Sequence, residues 1–119
     1  MELRELVKLW FRKWEEGDFE NIPIEENFQH TSPYGTIEGK KSYLSVVDAN
    51  RDAFLGNTFE LHDEIYDQKK ACVRYTMRSG DFSMEVSDWF FAGESKIEKI
   101  VSYYNVGKQV SYEEDLNKP

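Results

Sequence analysis

An α+β domain, with two amphipathic helices laid on one face of an antiparallel sheet, is the fold class this sequence predicts. Three observations carry it. Two stretches repeat apolar residues at helical spacing. Four later stretches alternate apolar and polar residues with the two-residue period of strands. Turn-forming clusters separate those strands at hairpin spacing. One apolar sheet face and two striped helices need each other to leave water, which makes two layers around one core.

Taken in order, Leu3, Leu6, Val7, Trp10, Phe11 and Trp14 mark a helix from about Glu2 to Glu16, closed by Gly17-Asp18. Asp18 is placed to cap a short second turn before Pro23. Asn27 to Ser32 reads as a strand with Phe28, His30 and Ser32 on one face. Ser32-Pro33-Tyr34-Gly35 is turn chemistry, and Pro33 ends the strand or confines it to an edge. After Gly39, a helix is expected over Lys40 to Leu55, with Tyr43, Val46, Val47, Asn50 and Phe54 as its inner stripe. Strands follow at Thr58 to Asp67, Ala71 to Met77, Phe82 to Phe91 and Ile97 to Val106. A single domain over 1–107 and a polar tail over 108–119 are therefore expected.

Composition narrows the function. The chain of 119 residues is long enough for one core and short for two. With 39% hydrophobic and 32% charged residues, it reads as globular rather than disordered. A net charge of -8 with no offsetting basic cluster argues against a nucleic-acid surface. No apolar run reaches membrane-spanning length, and the charged start does not read as a signal peptide. One cysteine, Cys72, leaves no internal disulfide and suits a reducing compartment, so a cytoplasmic location is expected. No cofactor is implied, because there is no glycine-rich phosphate loop. No metal is implied either: His62 and Glu64 lack a third ligand.

One residue breaks the pattern. Phe82, Met84, Val86, Asp88 and Phe90 share a strand face, and four of the five are apolar. A carboxylate on such a face must be paired, hydrogen-bonded or held neutral, so Asp88 marks a candidate site. Asp63 also shares a face with apolar neighbours, but a bulge would turn it to solvent.

The segments WEEGDFENI, FQHTSPYGTIEGKKSYL and MEVSDWFFAGESKIEKIVSYY resemble the nuclear transport factor 2-like superfamily, in particular its SnoaL-like domains. The resemblance runs from about Leu6 to Gly107. It implies a cone-shaped, cystatin-like α+β barrel in which a curved antiparallel β-sheet wraps around N-terminal helices. It is more distantly similar to ketosteroid isomerase, which combines a carboxylate base with a tyrosine and a protonated aspartic acid. The protonated acid falls on Asp88. The base position is Ser32 and the tyrosine position is Trp10, so that chemistry does not carry over.

The resemblance and the residues together imply a small-molecule-binding protein with an apolar ligand in its cone. Proton-transfer chemistry such as isomerisation, dehydration or cyclisation would use Asp88 as acid or hydrogen-bond anchor and His30 as base. Trp10, Trp14, Ser32, Tyr34, Asn50, Tyr75 and Tyr104 are the candidate ligand-binding residues. The plainer readings are a satisfied structural carboxylate for Asp88, a core histidine for His30, a bonded buried amide for Asn50 and packed aromatics for the tryptophans and tyrosines. The alternative function is a non-enzymatic carrier or a dimerising accessory module. Trp89 and Phe91 interrupt an otherwise wet outer sheet face, which predicts a homodimer there.

Overall fold

The computed structural model describes residues 1–107, so the tail expected over 108–119 lies outside the described residues. Helix α1 (Leu3–Glu16) buries Leu3, Leu6, Val7, Trp10, Phe11 and Trp14, the whole stripe read from its spacing. Gly17 closes it at φ 75°, where its N–H and that of Asp18 reach back to Trp14 and Lys13 carbonyls. A 3-10 turn, Phe19–Asn21, follows. Asp18 does not cap it. Its carboxylate instead accepts from Lys13 Nζ at 2.9 Å and Asn21 Nδ2 at 2.8 Å.

Strand β1 (Ile24–Ser32) begins three residues before the expected start and stops at Pro33. A strand absent from the sequence reading, β2 (Gly35–Glu38), then folds back on it, pairing Ser32 with Gly35 and His30 with Ile37. Its four residues sit on the sheet's edge and are mostly exposed, so no apolar alternation announces it. The single helix expected next is divided into α2 (Lys40–Ala49) and α3 (Arg51–Phe54). The break falls on Asn50, whose amide donates to the Val46 carbonyl at 2.8 Å. Tyr43 and Val47 remain the buried pair of α2, whereas Val46 is 44% exposed.

Four antiparallel strands follow: β3 (Thr58–Tyr66), β4 (Lys70–Ser79), β5 (Phe82–Ala92) and β6 (Ile97–Tyr104). The sheet order is β2-β1-β6-β5-β4-β3, with β1 parallel to β6. It is a curved, unclosed six-stranded sheet in an α+β fold, with α1 and α2 on its inner face. A register shift between Leu61 and Asp63 reverses the facing of β3. Leu61 therefore points inward, while Asp63 lies outside against Arg74 Nε at 2.7 Å. Phe82, placed by alternation on the inner face, is 57% exposed where β5 leaves the β4–β5 turn. No described helix is long and apolar enough to cross a membrane.

Candidate functional site

The sheet order brings four polar side chains into one inner row. His30 comes from β1, Ser102 from β6, Asp88 from β5 and Tyr75 from β4, and those four strands are consecutive neighbours. Asp88 and Ser102 are direct partners across the β5–β6 ladder. Tyr75 faces Val86, which makes Asp88 its diagonal neighbour, within reach of a long aromatic side chain. The Tyr75 hydroxyl donates to Asp88 Oδ2 at 2.8 Å. His30 Nε2 lies 2.9 Å from Ser102 Oγ.

Asp88 is 3% exposed, and its Oδ1 has no hydrogen-bond partner. Burial raises its pKa from the ordinary carboxylate value to about 6, while the Ser102 and Tyr75 hydroxyls beside it act in the opposite direction. Burial also depresses His30, to about 4, so its ring is neutral near pH 7. The Ser102 hydroxyl has one proton to give. With Nε2–H donating to Ser102, that proton is free to turn toward Asp88; with Nε2 as acceptor, Ser102 spends it on His30. The tautomer of His30 is thereby coupled to the charge of Asp88.

These groups open onto an inner hollow of about 200 Å³. Trp10 forms the centre of its aromatic wall, with ring centroids 5.6 Å from Trp14, 6.3 Å from Tyr43 and 6.1 Å from Phe90. Tyr43 also stacks edge-on against His30 at 5.4 Å, which fixes the imidazole plane. Phe59, Met77, Met84 and Val86 supply an apolar floor, and Phe54, Asn57 and Tyr104 complete the lining. A larger hollow of about 530 Å³ lies between the N-terminus, Tyr66–Gln68 and Ala92–Ser95, away from all four polar residues.

Of the residues singled out in the sequence, Asp88, His30, Trp10, Trp14, Tyr75 and Tyr104 line the inner hollow. Three do not. Asn50 is exposed because it terminates α2 rather than continuing a stripe. Tyr34 is 80% exposed at the β1–β2 turn, its ring 6.3 Å from that of Tyr104. Ser32 is engaged in that same turn, accepting from the Tyr34 N–H at 3.1 Å. Sequence reasoning missed Ser102, Asn57, Tyr43 and the methionine pair as lining. Ser102 was legible as an inward position on its strand; its partnership with His30 rests on the parallel β1–β6 pairing, which leaves no local signal. Among the described residues, no group of three or more His, Cys, Asp or Glu is placed to hold a metal ion.

Residues 7–102 match the SnoaL-like domain family. No curated protein matches the chain. Among solved structures, a nuclear transport factor 2-like protein of unknown function from Cytophaga hutchinsonii superposes with a TM-score of 0.74 at 17% identity, covering 86% of this chain and 88% of that one. A protein from Kribbella flavida, proposed to be a ketosteroid isomerase, gives 0.75 at 13% identity over 91% and 81%. The epoxide hydrolase/cyclase-like enzyme SalBIII, of pyran ring formation in polyether salinomycin, gives 0.72 at 21% identity over 87% and 90%. At these identities the likeness is one of fold.

Proposed function

The chain belongs to the SnoaL-like family, and from that premise we propose that it binds a small, largely apolar molecule in the inner hollow and moves a proton on it. The observation that carries this reading is Asp88: a buried carboxylate with one oxygen held by Tyr75 and the other free. A base works best with a pKa near the operating pH, and Asp88 at about 6 is ionised at neutrality yet still basic. His30, depressed to about 4, is the poorer base. The roles expected from the sequence are therefore exchanged: Asp88 accepts the substrate proton, and neutral His30 supports it through Ser102. Isomerisation, dehydration and cyclisation all need such a step, and the structural neighbours include a proposed ketosteroid isomerase and an epoxide hydrolase/cyclase-like enzyme.

A direct test uses hydrogen–deuterium exchange at the α-carbon of small cyclic ketones in heavy water, read by NMR. Wild-type protein should accelerate exchange, and Asp88→Asn should return it to the uncatalysed rate. Equal rates for both proteins sink the proton-transfer step. Binding is tested separately by extracting the protein purified from its host and identifying any released small molecule by mass spectrometry.

We further propose a homodimer through the outer sheet face, in keeping with a cytoplasmic protein whose lone Cys72 stays reduced. Ile65, Cys72, Trp89 and Val101 stand in register across four strands, and Ile65 is 71% and Trp89 40% exposed. Phe91 contributes less, because Lys99 Nζ lies 5.4 Å over its ring. This face also supports the non-enzymatic reading, in which association is the function and the inner polar row is a strut.

A further inference from the structure

With the Ser102 hydroxyl turned to His30 Nε2, three buried side-chain polar atoms among the described residues have no hydrogen-bond partner: Asp88 Oδ1, Asn57 Oδ1 and Trp14 Nε1. All three residues line the same inner hollow, and each is at least nine-tenths buried. An orphaned buried polar atom costs about 1–3 kcal/mol, so three converging on one space describe the complement of something that fills it.

They also lie at two separate levels. Asp88 pairs with Val73, and the next inward rungs toward the β4–β5 turn are Tyr75–Val86 and Met77–Met84. Asn57 sits beyond those rungs, immediately before Thr58, which pairs with Arg78. Trp14 belongs to the Asn57 end. The Asn57 N–H bonds to the Phe54 carbonyl, and the Phe54 ring is 5.3 Å from that of Trp14. Five residues of β4 separate the two levels, roughly 16 Å at ordinary strand rise, less the reach of the side chains. Between them Met77, Met84 and Val86 present thioether and hydrocarbon, and Tyr104, the ladder partner of Val86, adds a ring with a phenol tip.

We infer that the hollow takes a two-ended ligand, with an apolar body and a hydrogen-bonding group at each end. One end donates to Asp88 Oδ1. The other both donates to Asn57 Oδ1 and accepts from Trp14 Nε1–H, which a single hydroxyl does and an ether, halide or methyl does not. The ligand class is an elongated hydroxylated molecule rather than a plain hydrocarbon. This rests on the proposal that the hollow is a small-molecule site, and it adds the second anchor.

Linear α,ω-diols of six, eight and ten carbons, compared with the 1-alkanols of equal length, separate the two ideas. Titrations followed by ¹H–¹⁵N NMR read the indole N–H signals, with the outward Trp89 as internal control. The best-fitting diol should bind about tenfold more tightly than its alkanol, the worth of one added hydrogen bond to an unpaired buried group. It should move the Trp14 indole signal and leave that of Trp89 in place. Asn57→Leu should bring the two affinities within twofold of each other. Trp14→Phe removes the donor alone and should do so in part, which covers the case of an Asn57 variant that does not fold. Diols and alkanols binding equally to the wild type would overturn the second anchor and leave the site standing. If neither class binds, the small-molecule reading falls and this inference with it.

Discussion

Ser102 stands between His30 and Asp88: its Oγ is 2.9 Å from His30 Nε2, and it is the direct ladder partner of Asp88 across β5–β6. The two titratable groups therefore communicate through a hydroxyl rather than by contact. Burial shifts them toward each other's range from opposite sides, Asp88 up to about 6 and His30 down to about 4. Both shifts favour the neutral form of the group concerned. Near pH 7 the row carries one negative charge, and its nearest stabilising dipoles are the hydroxyls of Tyr75 and Ser102.

Opposed shifts give opposed pH dependences. Between about pH 4 and 6, folded Asp88 keeps a proton that the unfolded chain has lost, so this group lowers stability as pH rises. Over about pH 4 to 6.5 the unfolded chain holds a proton on His30 that the folded chain rejects, so His30 raises stability as pH rises. In the wild type the two largely cancel. Relative to it, Asp88→Asn should gain stability with rising pH through 4–6, by up to about 3 kcal/mol. His30→Gln should lose a similar amount over 4–6.5. Urea unfolding at pH 4, 5, 6 and 7 checks both, and parallel profiles for all three proteins would refute the coupling of burial to charge.

Ser102 positions a proton without touching substrate in this scheme. Ser102→Ala removes a hydroxyl that favours the charged carboxylate, so the Asp88 pKa should rise above about 6. Exchange activity that turns on as Asp88 ionises should then move its midpoint to higher pH, and Ser102→Thr should restore it. A loss of rate at every pH with an unmoved midpoint would reduce Ser102 to packing.

Tyr75 donates to Asp88 Oδ2 from a buried position, between Phe11 and Phe59. Tyr75→Phe keeps those ring contacts and leaves Asp88 Oδ2 unpaired. The cost should be about 1–3 kcal/mol at pH 7. It should shrink below pH 5, where Asp88 protonates and no longer presents an unpaired charge. Denaturant midpoints at the two pH values measure the difference.

Much of this architecture was readable where the information is local. The α1 stripe, Gly17, the β3–β6 meander and the bulge that turns Asp63 outward all follow from spacing within a segment or across a hairpin. Asp88 was readable too, since a charge among Met84, Val86 and Phe90 needs a reason. The rest depends on long-range geometry. The parallel β1–β6 pairing joins residues about seventy positions apart, so no hairpin signal could place Ser102 beside His30. Asn50 misled because helical spacing continues through it, whereas its side chain bonds to the Val46 carbonyl and ends α2 there. Asn57 sits just past Gly56 in ordinary stop chemistry, and its burial beside the hollow arises from tertiary packing that local sequence does not show.

Gly17 separates backbone strain from crowding. Its φ of 75° lies in the left-handed region, and an added Cβ would come 2.8 Å from Leu55 Cδ2. Leu55 is 45% exposed and can swing aside, so the backbone conformation carries most of the penalty. Gly17→Ala should cost about 1–2 kcal/mol. Gly17→Asn, slightly larger but more tolerant of that conformation, should cost less. The reverse order in thermal unfolding would assign the cost to Leu55.

The outer row of Ile65, Cys72, Trp89 and Val101 makes the last prediction. On one side its neighbours are ion-paired within the chain, Arg74 with Asp63 and Glu85 and Arg78 with Glu60, so those charges do little to oppose approach of a second copy. A two-fold axis near Trp89 would set each row against its equivalent. Trp89→Glu places a carboxylate at the centre of that contact, where burial without a partner is unfavourable. Sedimentation equilibrium should show the wild type at twice the chain mass and the variant at one. The indole signals of Trp10 and Trp14 should be unmoved, which separates lost association from lost fold. A wild type that sediments as a monomer at all concentrations would remove the dimer, leaving the inner hollow unaffected.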